Sequence, residues 1–206
     1  MKKVLFIVVL IAGSLAGFSQ NMDDIKEMTG KNQFKKAKDA IDKFLGNPKN
    51  ASNAESFFYK GNIYNRLSHD STVSPADAMS YKIAAFEAFK KNQELDKLDL
   101  YMISENHVSY FDLYNGFFDL GAKAFNLHNY EGAFNGFTNA LQVEDYVRSK
   151  GYEVNAFKFP LLDTALVLNA AISAKQAKND DAAITYYRQL ADANLSKDNN
   201  IDIYLF

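Results

Sequence analysis

Cysteine is absent from the chain, and so is tryptophan. Without a thiol there is no disulfide to staple a small core and no residue to carry a lipid at a processed N-terminus, so stability has to come from packing. Proline is scarce: Pro48, Pro75 and Pro160 are the only three, and each falls beside a proposed helix boundary. No segment alternates apolar and polar residues with the period of two that strands require. An excess of either charge is missing as well, with 23 Lys and Arg against 25 Asp and Glu. A protein that tracks phosphates needs a basic stripe. The densest basic cluster here, Lys35, Lys36 and Lys38, sits beside Asp39 and Asp42 and reads as a solvated helix face, so no nucleic-acid partner is expected.

Catalytic spacing is also wanting. His69, His107 and His128 lie far apart, with no second histidine or cysteine at a ligand interval, and each reads as a surface or turn residue. His69-Asp70-Ser71 contains the residue types of a hydrolytic triad, but neighbours on one loop cannot take up that geometry. The chain has no GxSxG, phosphate-binding glycine loop or dinucleotide fingerprint. The pairs Asp23-Asp24 and Asp180-Asp181 fall at expected helix starts, where the helix dipole favours them. No enzyme activity, cofactor or metal is expected.

What is present begins at the N-terminus. Lys2 and Lys3, the apolar run VLFIVVLIA and the small-residue stretch GSLAGFSQ read as a secretory signal peptide over residues 1–19, cleaved after Ser19. The run is shorter than the roughly 20 residues of a membrane span, and no later segment is long enough. The mature chain is expected to be exported to the periplasm or outer envelope of a bacterium, with no transmembrane segment and not as a lipoprotein. Without Lys2 and Lys3 it carries 21 basic and 25 acidic side chains, interspersed along its length. Residues 20–206 are enough for one domain with a continuous core.

The rest is helical in pattern. In FFDLGAKAFNLHNYEGAFNGFTNAL, Gly121, Ala133, Phe137 and Ala140 fall at offsets of 0, 12, 16 and 19. Small residues at the first two positions let two antiparallel helices approach, and Phe137 fills the gap toward a neighbouring pair. Ala171, Ala183 and Tyr187 repeat the first three offsets. Gly61, Tyr64, Ala85 and Phe89 repeat the residue types, but 24 residues separate Gly61 from Ala85, so SHDSTVSPADA is an insertion. Ser74 followed by Pro75 is a helix start. Phe34, Ala37, Ile41 and Phe44 fit a second helix whose partner is the short MDDIKEM segment.

This spacing resembles the tetratricopeptide repeat (TPR), with Phe117, Ala124 and Asp145 standing where that pattern favours tryptophan, tyrosine and proline. The resemblance implies an all-α fold, a right-handed superhelix of antiparallel helix pairs, with repeats near 21–46, 54–97, 114–145 and 164–196. IDIYLF, within 199–206, looks like the opening of a further repeat, and a polar cap is what such arrays ordinarily end on. The chain is therefore expected to be the front of a longer protein, the alternative being that IDIYLF tucks back onto the last pair as a stub.

The resemblance also implies a protein-interaction scaffold without intrinsic catalysis, its partner a protein or peptide. The alternative is the helical front of an envelope protein with a catalytic or cell-wall-binding domain beyond Phe206. A third reading is a carbohydrate-associated module. First helices line the concave surface of such arrays, which nominates Glu55, Phe58, Tyr59 and Asn62, then Asn115, Phe118 and Asp119, then Leu168, Asn169 and Lys175 as contacts. This mixture of aromatic and amide side chains suits an extended peptide or a helix laid in a groove. Tyr110, Tyr114 and Phe117 fall at helical steps and are expected in the core.

Overall fold

The computed structural model describes residues 21–153 and 157–193. The signal peptide and the IDIYLF segment lie outside the described residues. Within them the secondary structure is helical, with no strand.

Among the described residues nine α-helices follow one another: α1 Met22–Gly30, α2 Phe34–Leu45, α3 Ala54–Ser68, α4 Pro75–Leu95, α5 Leu100–Ser104, α6 Val108–Asn126, α7 Tyr130–Lys150, α8 Thr164–Gln176 and α9 Asp180–Asp192. Eight of them pack as pairs, α1 on α2, α3 on α4, α6 on α7 and α8 on α9. Their starts are set by short polar side chains. Asn21, Asn53, Ser74, Asn129, Asp163 and Asn179 each accept a backbone N–H from the first turn that follows. Asp23-Asp24 and Asp180-Asp181 occupy first turns, as the dipole argument requires.

Three pairs use one and the same turn. Asn32, His128 and Lys178 adopt left-handed backbone at φ 55°, 59° and 61°. The residues that follow them, Gln33, Asn129 and Asn179, each donate a backbone N–H five residues back, to Met28, Ala124 and Ala174, at 2.9 Å in every case. This is the Schellman closure, and the same residue then serves as N-cap of the next helix. Counting from the left-handed residue, the buried positions match. Ile25, Ala37 and Ile41 correspond to Gly121, Ala133 and Phe137, and to Ala171, Ala183 and Tyr187.

Pair α3/α4 departs from this plan. Gly61, Ala85 and Phe89 keep their places, and a Cβ on Gly61 would fall 2.4 Å from the Phe89 ring. The position matching the first residue of α2, α7 and α9 is Lys82, yet α4 already begins at Pro75. About two extra turns therefore precede it, preceded by a loop in which Asp70 accepts Thr72 N–H and Oγ1 at 2.9 and 2.7 Å and pairs with Lys35 of α2 at 3.2 Å. The sequence insertion is thus half loop and half helix.

Pair α6/α7 is longer than the 114–145 expected. Tyr110 extends its core stripe at one end, Val143 and Val147 at the other, and Gly151 at φ 70° terminates α7. Its closest approach involves a residue the spacing did not single out: a Cβ on Gly136 would lie 2.5 Å from Gly121 Cα.

Neighbouring pairs join through aromatic and charged contacts. Asp42 of α2 accepts from Lys60 at 3.1 Å and Tyr64 at 2.5 Å on α3. Phe86 meets Tyr110 and Tyr146 edge-on, linking α4 to α6 and α7. Tyr114 donates to Asp163, the α8 cap, at 2.8 Å. Tyr110 and Phe117 are fully buried and Tyr114 half-buried, so this stripe is core. One large core runs from α1 to α8, and a smaller one, built on Val167, Ala171, Ala183, Tyr187 and Leu190, belongs to α8 and α9.

Candidate functional site

Residues three and four apart share a helix face. Asn62, Asn65 and the C-cap His69 therefore make one stripe along α3, and Ser109, Asp112 and Gly116 make another on α6. The two stripes meet as a polar seam. Ser109 Oγ lies 3.4 Å from Asn62 Oδ1, and Asn65 donates to Asp112 Oδ2 at 2.6 Å. His69 Nε2 stands 3.0 Å from the same Asp112 oxygen. From α4, Lys82 reaches in to donate to Asn65 Oδ1 at 3.0 Å, with its Nζ 3.3 Å from His69 Nε2.

This arrangement sets the protonation of its members. The hydrogen bond from His69 holds the Asp112 carboxyl down at about 2, with Lys82 and Asn65 helping against the cost of burial. Burial pulls the Lys82 ammonium down to about 8, against the attraction of Asp112 and Asp119. His69 Nε2 cannot donate to Asp112 and accept from Lys82 at once. The Nε2 atom therefore serves one of these two neighbours at a time.

The carboxylate partner of His69 is thus Asp112, not its neighbour Asp70. His107 is in a turn, at φ 56°, but it is not a surface residue: it stacks on Tyr152 at 3.9 Å and pairs with Asp99 at 2.9 Å. His128 is an exposed turn residue. Among the described residues no three His, Asp or Glu side chains come together in a way that could hold a metal ion. Nor is any helix among them long and apolar enough to cross a membrane.

The residues nominated from the sequence fall into separate neighbourhoods. Phe58, Tyr59 and Asn62 line one open groove of about 490 Å³ between α3 and the end of α1, which Arg66 and Phe34 also border. Glu55 lies one turn away and is held by Lys26 at 2.6 Å. Phe58 is half-buried, its ring 5.4 Å from Tyr101 and 6.3 Å from Phe89, so only part of it faces the groove. On α6, Asn115 is exposed, Phe118 is half-buried edge-on to Phe137 at 5.6 Å, and Asp119 borders a second, larger cleft. On α8, Leu168 packs on the smaller core, Asn169 is half-buried, and Lys175 pairs with Asp180 at 3.0 Å.

Lys82 and its partners were not among the nominated residues, although a signal existed. Ala78, Lys82, Ala85, Phe89 and Asn92 follow the three- and four-residue rhythm of a buried stripe. A lysine and an asparagine on that stripe need partners: Lys82 finds Asn65, and Asn92 donates to the Ala54 carbonyl at 2.9 Å, although its Oδ1 has no partner among the described residues. Comparisons with family models, with curated proteins and with solved structures give no match to this chain.

Proposed function

We propose that this chain is an exported, TPR-like scaffold, its helix pairs stacked as a right-handed superhelix that holds a protein partner along the first helices of the pairs. The observation that carries this reading is the threefold recurrence of one hairpin, with the same left-handed turn and the same buried positions, at Asn32, His128 and Lys178. A chain built by repeating one supersecondary unit offers a long continuous face rather than a single reaction centre. Fold alone does not name the partner. The groove at Phe58, Tyr59 and Asn62 supplies aromatic surface beside amide donors and acceptors, which suits an extended peptide segment. The basic, apolar and small-residue succession of residues 1–19 supports export to the periplasm or outer envelope.

Photo-crosslinking from single positions tests this in the native cell. A crosslinker at Tyr59 or Asn115, both on first helices, is expected to trap the same protein. Positions Ser80 and Glu87, exposed on the second helix α4, are expected to trap none. Equal trapping from α4, or different proteins from Tyr59 and Asn115, overturns the reading.

A further inference from the structure

Lys82 is only 2% exposed, and it sits where two helices would ordinarily close on each other. A Cβ on Gly116 would fall 2.1 Å from Lys82 Cε and 2.2 Å from Nζ. The glycine therefore exists, in physical terms, as room for the lysine. Its ammonium has three protons to donate, and among the described residues its partner is the Asn65 amide oxygen, joined by the His69 ring only when that ring does not donate to Asp112. Neither is an anion. Asp112 and Asp119 act on it from a distance, and the Asp112 carboxylate is already engaged by Asn65 and His69. Buried charges are ordinarily paired, so this one is short of a counter-charge.

The lysine also forms part of an open cavity. Lys82 and Gly116 line a cleft of about 730 Å³ between the α3–α4 loop, the start of α4 and the second half of α6. That size is in the range of small-molecule sites. Val73, Pro75 and Ala78 form one apolar wall, and Leu120, Ala124 and Leu127 the other. The first wall consists entirely of the inserted stretch, so the cleft arises where α3/α4 departs from the common hairpin. Asp119 and Lys123 border it with opposite charges, and His69 and Asp70 line its loop end, the Asp70 carboxylate being paired with Lys35.

We propose that this cleft binds a small amphipathic monocarboxylate, the carboxylate meeting Lys82 and the hydrocarbon tail lying between Val73, Ala78, Leu120 and Leu127. The carboxylate supplies the anion that the buried ammonium lacks, and charge-assisted hydrogen bonds of this kind are the strong ones. A chain bearing an amine instead would place a second cation against Lys82. A neutral amide would offer its oxygen without the charge. The site is distinct from the Phe58–Asn62 groove, so this assignment stands or falls separately from the scaffold reading.

Octanoate, octanamide and octylamine are the probes, titrated by calorimetry into the full-length protein near neutral pH. Octanoate is expected to bind at least about tenfold more tightly than octanamide, the margin of a desolvated charge-assisted hydrogen bond, with octylamine weakest. In K82M that preference is expected to vanish. In L127S, which alters a side chain 74% exposed, both octanoate and octanamide should weaken while their ratio survives. Failure of octanoate to bind, equal affinity for octanoate and octanamide, or a preference retained in K82M each overturns the proposal. Should K82M lose its helical circular dichroism, the three-probe comparison on the wild-type chain and the L127S ratio decide it.

Discussion

At the scale of the residue, Glu144 is a buried carboxyl group with half of its hydrogen-bonding capacity unmet. It is 1% exposed on α7, its Oε1 accepts from Arg148 at 3.0 Å, and its Oε2 has no hydrogen-bond partner among the described residues. Burial pushes its carboxyl up to about 7, the Asp163 carboxylate adds to the push, and Arg148 opposes it. In the unfolded chain the group titrates near ~4.3. Between those values the folded state holds the extra proton, so stability falls as pH rises through the window and stays at its lower level above 7. E144Q removes the charge at constant shape. It is expected to melt about 3 °C higher than wild type at pH 8, which is what ~1 kcal/mol amounts to for a domain of this size. It should also flatten the dependence of melting temperature on pH between 5 and 7. An unchanged slope in E144Q contradicts the assignment. Glu144 was legible by spacing, since Ala133, Phe137, Ala140, Glu144 and Val147 keep the three- and four-residue rhythm of a buried stripe and Asp145 falls off it. Lys82 was legible in principle, since its place on the Ala78–Phe89 stripe is a matter of spacing alone.

At the scale of the element, the hairpins are held by contacts between backbones as well as side chains. Gly136 of α7 approaches Gly121 of α6 so closely that an added Cβ would meet backbone atoms at 2.5 and 2.6 Å. Backbone cannot rotate out of the way, so G136A must push the helices apart. It is expected to cost about 3 kcal/mol, the upper end for overpacking, read from the midpoint of urea denaturation. Gly30, at the end of α1, has nothing within 4 Å of its would-be Cβ. G30A should therefore stabilise by roughly 0.5–1 kcal/mol through helix propensity. If the two alanines act alike, close approach at Gly136 is not what holds α6 to α7. The offsets of Gly121, Ala133 and Phe137 were readable from the sequence because they are local and periodic. Gly136 was missed because helix-to-helix registry depends on the turn, and nothing in HNY announces that His128 is left-handed. The short helix α5 escaped for a related reason: its five residues are too few to establish a rhythm.

At the scale of the whole molecule, the packing is uneven. Aromatic rings tie α4, α6 and α7 together through Phe86, Tyr110 and Tyr146, whereas α8 and α9 share a smaller core of their own. Regions with fewer buried contacts open at lower free energy. In native-state hydrogen exchange, amides of α8 and α9 are expected to lose protection together and before those of α4, α6 and α7. Uniform protection across all five helices would show a single cooperative unit instead. The all-helical character was plain from the sequence, because each apolar stripe keeps the helical period. Which pair would bind least tightly to the rest was not, because that depends on contacts between distant segments.

The extra turns at the start of α4 have an evolutionary corollary. In a crystal, foreign atoms collect at dislocations, where the lattice no longer dictates what must occupy each place. Positions along α2, α7 and α9 are bound by a shared pattern, and a change at one of them disturbs a hairpin. Pro75 to Tyr81 lies before Lys82, the point at which that pattern resumes. Substitutions on its outer positions are free of the constraint that fixes Ala85 and Phe89, so descendants of this chain can exchange what the niche accepts without renegotiating the helices behind it.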